Sequence, residues 1–509
     1  LENIHCNIQE FIAIPNPCRW FLTGNGKRET GKDFFEMKLI LSQFDAEEIA
    51  ARTGGILALG PRSTLFSGVS IDSRTLRAGE LFFAIRGPRQ DGHKFIPNAL
   101  LGGASGVVAE SGYIQPEDFP EERILIKVED THRALKDFAS AVRRRWNGTS
   151  VGITGSMGKT TVKEFTAQIM ESAYSVYRSP GNYNNLYGLP LAIFGLESSH
   201  SIGVFEMGMS APGEIAEMCR IAEPTIGIIT NVAPVHLEFF NSLEDIARAK
   251  EELAEALPVD GTLIYNGDIA PVRDIAARFR GHKISFGFAD GVDLHADQIE
   301  IVSTEETRFR LSYSGTDTIV TIPMAGAHFV KNALPAIALA SHYGLTPEQI
   351  AESLRHMRQA SMRGRILHFR EGFSVIDDSY NSNPEALKSM IEVLCRLPSF
   401  ERRILVAGEM LELGSDSKSL HHECGRFASK AGVDTVIGVR AAARDIVQGA
   451  QDEGMSDRQA RFFQNAEEAS AFLQKDIRKG DLVLVKGSRG VRMETIIKNL
   501  RSNFECPET

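Results

Sequence analysis

The segment Gly152-Ile153-Thr154-Gly155-Ser156-Met157-Gly158-Lys159-Thr160-Thr161 limits what this chain can fold into more than any other. A short apolar run, Val151 to Thr154, leads into a glycine loop. The residues beyond it place Val162, Phe165, Ile169 and Met170 at helical spacing. Strand, glycine loop and helix in that order commit the region to a parallel sheet covered by helices on both faces. Glycines let backbone N–H groups approach phosphate oxygens, and the helix N-terminus adds positive dipole. Lys159 can neutralise β- and γ-phosphate charge, and the Thr160 hydroxyl can ligate Mg²⁺. The loop Gly155, Ser156, Met157, Gly158, Lys159, Thr160 and Thr161 therefore reads as an ATP site, with spacing G-x-x-G-K-T rather than the full G-x-x-x-x-G-K-[ST].

The chain has 509 residues, enough for about three domains. Residues 37–128 alternate short strands and helices, with Leu81 to Ile85 as a buried strand, and read as a small α/β domain. Residues 129–360 form a central domain. It holds a helix over Thr131 to Trp146, the glycine loop, and strands at Ile202 to Phe205 and Thr225 to Thr230. From Asp260 to Ile322 the pattern is strand-rich and reads as an antiparallel appendage, after which a helix spans His328 to Tyr343. Residues 361–509 carry strands at Ser374 to Asp377, Ile404 to Ala407, Asp434 to Val439 and Asp481 to Lys486. This is a Rossmann-like series without a G-x-G-x-x-G loop, so no dinucleotide is expected there. A regular pattern begins only at Met37. Residues 1–36, with Glu2, Glu10 and a Pro15-Asn16-Pro17 break, are expected to be a non-native or disordered extension rather than a signal peptide.

Hydrophobic residues at 43% and charged residues at 24% allow each domain a core of its own. The net charge of −10 argues against a broad nucleic-acid or anionic-membrane surface. No apolar run approaches the ~20 residues of a membrane span. The six cysteines are scattered without a C-x-x-C pair, which fits a reducing cytoplasm.

Further residues stand out against this frame. Glu206 ends a strand at the carboxyl edge of the sheet, where it reads either as a Mg²⁺ ligand or as an ordinary strand-end acid. His236, after another strand end, is by itself more often structural than catalytic and needs support from its neighbours. Ser242 and Asp245 start a helix in which Lys250 lies amid Leu243, Ile246, Leu253 and Leu257. Its stem could cover apolar surface, or burial could leave the amine neutral and reactive. His328 and Asn332 share a helix face and are candidates to line the nucleotide site, with Pro335 marking a start or a kink. Asn383 and Pro384 read as a cap and first helical residue, which leaves the adjacent Asp377 and Asp378 unexplained by capping. His421-His422-Glu423-Cys424 has no second cluster at zinc spacing.

From Val69 to Glu494 the chain resembles the Mur ligases, ATP-dependent amide-forming enzymes of bacterial cell-wall synthesis. Asp378-Ser379-Tyr380-Asn381-Ser382-Asn383-Pro384, Gly408-Glu409-Met410-Leu411-Glu412-Leu413-Gly414 and Lys486-Gly487-Ser488-Arg489 are similar to the members that add D-alanyl-D-alanine to a UDP-MurNAc-tripeptide. Asp72-Ser73-Arg74, Phe82-Phe83-Ala84 and Asp91-Gly92-His93 resemble their N-terminal UDP-sugar domain. The resemblance implies that Lys159 and Thr160 bind ATP and its magnesium, and that Glu206 completes that metal site. It further implies a second Mg²⁺ served by His236 and by Lys250, commonly carbamylated in the family. Ser73 and Arg74 are implied at the UDP-sugar, Asn184 and Asn185 near substrate and phosphates, and Asn332, Arg363 and Asp378 at ATP, with the third domain closing over it. The implied enzyme is a cytoplasmic monomer. Two departures are His328-Phe329 in place of His-Asn, which puts one amide contact near the nucleotide in doubt, and Gly408-Glu409-Met410 in place of Gly-Asp-Met.

Two other readings share the motifs. One is a related ligase acting on folate or a different amino acid. The other is a P-loop regulatory ATPase with no covalent product, which would need neither the Tyr380 to Pro384 motif nor Lys250 on an apolar stripe.

Overall fold

The computed structural model describes residues 39–507 apart from 88–89, 115, 235–239, 241 and 314, so the expectations for residues 1–36 and for His236 lie outside the described residues. The described chain divides into two compact units. One runs to Trp146 and includes Phe194–Ser198; the other takes Asn147–Ile193 and the residues from Ser199 onward.

The first unit is built on β1 (Ile56–Leu59), β2 (Val69–Ser70), β3 (Leu81–Phe83), β4 (Gly106–Glu110) and β5 (Ile124–Val128), in the order β1-β5-β4-β3-β2. The β2 to β5 ladders are parallel, and β1 closes the edge antiparallel. The Thr131–Arg145 helix, capped by Asp130, packs Phe138 against Phe44, Phe83 and Phe194.

The second unit holds two sheets. The first contains β6 (Thr149–Thr154), β7 (Val176–Arg178), β8 (Ile202–Glu206), β9 (Ile226–Ile229), β10 (Thr262–Asn266), β11 (His282–Gly287), β12 (Leu294–Ser303), β13 (Glu306–Tyr313) and β14 (Thr316–Ile322). Their order is β14-β13-β12-β11-β10-β9-β6-β8-β7. The antiparallel part is smaller than the strand-rich stretch from Asp260 suggests. β10 and β11 pair in parallel because the Ala270–Arg278 helix carries the chain across between them, and direction reverses only at β12 and β13, which a tight turn connects. The Ala327–His342 helix, with Pro335 inside it rather than at its start, buries Phe329, Val330, Leu334 and Ile337 in the same core as Val162 and Phe165.

The second sheet contains β15 (Arg365–His368), β16 (Ser374–Asp378), β17 (Arg402–Gly408), β18 (Thr435–Val439), β19 (Ala460–Phe463) and β20 (Asp481–Lys486), in the order β15-β16-β20-β17-β18-β19. All its ladders are parallel except β15 on β16. The short edge strands β15 and β19 escape the sequence pattern, because four residues with partial burial carry little periodic signal. No helix among the described residues is long and apolar enough to cross a membrane.

Candidate active site

β6 ends at Thr154, and the chain turns through Gly155 (φ 155°) and Gly158 (φ 78°) before the Lys159–Met170 helix. Both positions require glycine. A Cβ on Gly155 would run into the Thr230 hydroxyl, and one on Gly158 into the Asn332 side-chain oxygen. The loop is fastened from the neighbouring strand end. Met157 N donates to Asn231 Oδ1 (2.8 Å), Thr230 Oγ1 donates to Met157 O (2.7 Å) and Ser156 Oγ donates to Ala233 O (3.0 Å). Gly158, the N-cap, offers no side chain, so the first helical N–H groups remain for an anion and the dipole favours one there. Lys159 reaches back over the loop and donates to Gly155 O at 2.7 Å.

The surroundings of Lys159 assemble from three other elements. Glu206, at the end of β8, is 2% exposed, unlike an ordinary strand-end acid. Its Oε1 accepts from Asn184 Nδ2 at 2.8 Å, while Oε2 is buried without a hydrogen-bond partner. A buried carboxylate oxygen left bare is costly, and a cation removes that cost. With the Thr160 hydroxyl it makes an all-oxygen donor set of the kind a hard divalent ion takes, so these residues fit Mg²⁺.

Lys250 is 2% exposed on the Leu243–Ala256 helix, among Ile246, Ala249 and Leu253, so its ammonium does not reach water along a surface stem. Burial first, and the charge of Lys159 second, hold its amine well below the ordinary lysine value. Burial also lowers Lys159; Glu206 raises it and Arg363 lowers it further. Glu206, Lys250 and Arg363 thus all lie within electrostatic reach of Lys159.

Arg363 comes from just ahead of β15. Its Nη2 donates to Thr160 Oγ1 at 3.1 Å, and its guanidinium lies 3.9 Å from the Tyr380 ring centroid. Asp378, at the end of β16, pairs with Lys486 at 2.5 Å, and Lys486 also donates to Asn381 O. Asn383 accepts from Ala386 N (2.9 Å) and caps the Pro384–Arg396 helix. Asn332 stands against Gly158, beside the glycine loop. One turn earlier, His328 is held at about 3 by burial and then by Lys486, and its Nδ1 is buried without a partner. Phe329, in place of the amide, fills core space against Phe165. Glu409 is held by Arg440 and receives Ala442 N.

The two asparagines of the 182–185 stretch divide their work. Asn184 turns to Glu206, whereas Asn185 Oδ1 accepts from Tyr187 N and Gly188 N and starts the Gly188–Ile193 helix. Ser73 and Arg74 belong to the other unit, where Arg74 forks onto Asp72. His421 accepts from Met410 N and bonds Ser417 O, so both its ring nitrogens are engaged by backbone. Sequence reasoning missed Thr230 and Asn231 as fasteners of the glycine loop, although both follow a strand end of the same sheet.

Comparison with known proteins identifies the family. Residues 153–340 match the Mur ligase middle domain, residues 362–489 the Mur ligase glutamate ligase domain, and residues 65–143 the Mur ligase family catalytic domain. The UDP-N-acetylmuramoyl-tripeptide--D-alanyl-D-alanine ligase of Bacillus subtilis is 34% identical over 457 residues, covering 89% of this chain and 97% of the relative. A crystal structure of MurF from Acinetobacter baumannii superposes with TM-score 0.81 at 28% identity, covering 90% of this chain and 99% of the other. MurF of Thermotoga maritima in complex with ADP gives 0.75 at 29% identity, covering 86% and 97%.

Proposed function

Because the chain belongs to the Mur ligase family, we propose that it joins D-alanyl-D-alanine to the carboxylate ending a UDP-MurNAc-tripeptide, consuming ATP, in the making of peptidoglycan precursors. The observation that carries this reading is the bare, buried oxygen of Glu206 within reach of Lys159, with Arg363 arriving at Thr160 from the neighbouring sheet.

A carboxylate cannot be attacked directly by an amine, because oxide would have to leave. In the proposed reaction a carboxylate oxygen bonds to the γ-phosphorus of ATP, the bond from that phosphorus to the β–γ bridging oxygen breaks, and ADP departs. The amine nitrogen of D-alanyl-D-alanine then bonds to the carbonyl carbon of the acyl phosphate, inorganic phosphate leaves, and the amine proton passes to solvent. An α-amine with a pKa near ~8 is in part already neutral, so no strong base is needed. Lys159 leaves the Gly155 carbonyl for the β- and γ-phosphates, and the uncapped first N–H groups of the Lys159–Met170 helix bind the same oxygens. Arg363 adds positive charge from the far side, Asn332 and Asp378 line the nucleotide, Asn184 orients Glu206, and Ser73 and Arg74 serve the UDP-sugar.

Thr160 and Glu206 would hold one Mg²⁺, and His236 with Lys250 a second; when bound, the metal supplies Lewis-acid neutralisation of phosphate charge. The lowered amine of Lys250 suits addition of CO₂, in which nitrogen bonds to carbon and one proton leaves, giving an oxygen donor where nitrogen would serve a hard cation poorly. ATP and a UDP-linked substrate place the reaction in the cytoplasm, where the chain acts as a monomer.

The test offers the protein ATP, each UDP-MurNAc-tripeptide (lysine or diaminopimelate third), and D-alanyl-D-alanine or glutamate, with products read by mass. ADP should form only when the tripeptide is present, and mass should grow only with D-alanyl-D-alanine. Lys159→Ala should stop both. ADP release at an unchanged rate without the tripeptide would instead mark a regulatory ATPase.

A further inference from the structure

Among the described residues Lys163 is the most deeply buried lysine. Its side chain is 0% exposed, yet all three ammonium donors are matched: Ser179 O at 2.7 Å, Gly181 O at 3.1 Å and Glu164 Oε1 at 3.1 Å. Glu164 is shared with Arg178 at 3.2 Å. Core packing does not call for such a residue, since well-packed apolar side chains commonly replace buried ion pairs without loss of stability. The placement therefore asks for a role.

Lys163 lies one turn after Lys159, on the same face of the Lys159–Met170 helix. Lys159 reaches the carbonyls of the phosphate loop, and Lys163 those of the 179–181 segment. That segment continues into Asn184, whose Nδ2 holds Glu206 Oε1 and whose carbonyl accepts from Gly208 N at 2.7 Å. Ser179 also accepts the Glu206 N–H on its hydroxyl at 3.3 Å. Among the described residues no other side chain bonds the Glu206 carboxylate, whose second oxygen has no partner. The direction of that carboxylate is thus set by a loop that Lys163 ties to the phosphate-binding helix.

We infer that Lys163 is a positioning residue for phosphoryl transfer, holding the 179–185 loop so that Asn184 aims Glu206 at the site beside Lys159 and Thr160. The inference rests on the ligase reading above. Phosphate loop and acid then move as one body, because consecutive turns of one helix grip both. A shift of the reacting geometry by about 1 Å costs about 10²-fold in rate, which sets the scale of what a loosened loop would lose.

The test is a double-mutant cycle of Lys163→Met and Asn184→Ala, with wild-type ligation measured first. If the wild type makes no product, the ligase reading falls, and that outcome is separate from those that follow. In an active wild type, Lys163→Met should lower turnover about 10- to 100-fold. It should also weaken the Mg²⁺-dependent part of binding of a β,γ-imido ATP analogue, followed by calorimetry with and without Mg²⁺, while the Mg²⁺-free affinity stays within twofold. The double variant should be no slower than the slower single variant. Activity of Lys163→Met within twofold of wild type, single losses that multiply in the double variant, or equal weakening with and without Mg²⁺ would each overturn the inference. Should Lys163→Met not fold, Lys163→Gln, which can still donate to a loop carbonyl, takes its place in the cycle. Failure of both to fold would assign Lys163 to structure alone and overturn the positioning role.

Discussion

Arg363, which precedes the C-terminal sheet in the chain, donates its Nη2 to the hydroxyl of Thr160, the second residue of the Lys159–Met170 helix, across 3.1 Å. A residue 203 positions away in sequence thereby places a permanent positive charge where the γ-phosphate of ATP is proposed to sit.

Arg363→Lys should separate geometry from charge. The planar guanidinium both stacks on Tyr380 at 3.9 Å and reaches Thr160, and an ammonium cannot do the two together. We expect kcat/KM for ATP to fall at least about tenfold, with thermal stability little changed. Steady-state kinetics within twofold of wild type would show that the contact plays no part in turnover.

Lys250→Ala should abolish ligation, because it removes the buried amine proposed to serve the second Mg²⁺. If a carbamate on Lys250 serves as the oxygen ligand, a short-chain carboxylic acid should restore part of the rate, in proportion to its concentration. A titration with acetate or propionate that restores nothing would rule the carbamate out.

His328 should make stability depend on pH. Burial, and then Lys486, lower it from 6.5 to about 3, so between those values the unfolded chain binds a proton that the folded chain refuses. Its contribution is fully present above pH 6.5 and is lost as pH falls toward about 3. Urea unfolding of wild type and His328→Asn should therefore show a wild-type stability that drops faster on going from neutral pH to about pH 5. Parallel profiles would mean that His328 is protonated in the fold.

Asn383→Ala should cost about 1 kcal/mol of unfolding free energy, because it removes the side-chain oxygen that accepts Ala386 N at the start of the Pro384–Arg396 helix. Asn383→Asp should keep most of it. Chemical denaturation that finds Asn383→Ala unchanged would show that the helix end is satisfied from elsewhere.

Much of this site could be read before any coordinates. The glycine loop, the helix beginning at Lys159 and the helix carrying Lys250 follow from patterns spanning ten or so neighbouring residues, where spacing and chemistry coincide. Glu206 was visible as a strand-end acid but not as a buried one. Its exposure depends on β6 and β7 flanking it and on a loop that returns to it. Lys163 looked like any helical lysine following a phosphate loop, since its partners Ser179 and Gly181 are backbone carbonyls, which have no signature in side-chain pattern. Asn185 Oδ1 holds the start of the helix after it, another tie to backbone that side-chain pattern does not announce.

Local chemistry, then, was settled by the sequence itself: which residues can cradle phosphate, where strands and helices alternate, and that a lysine sits on an apolar stripe. Those properties depend on neighbours along the chain, and the chain order states them. Which charges face one another belonged to the tertiary structure. The approach of Arg363 to Thr160, the bare oxygen of Glu206 and the tie from Lys163 to the 179–181 carbonyls arise from sheet order and packing between distant segments. Electrostatic energy depends on distance and burial, and neither is a property of sequence separation.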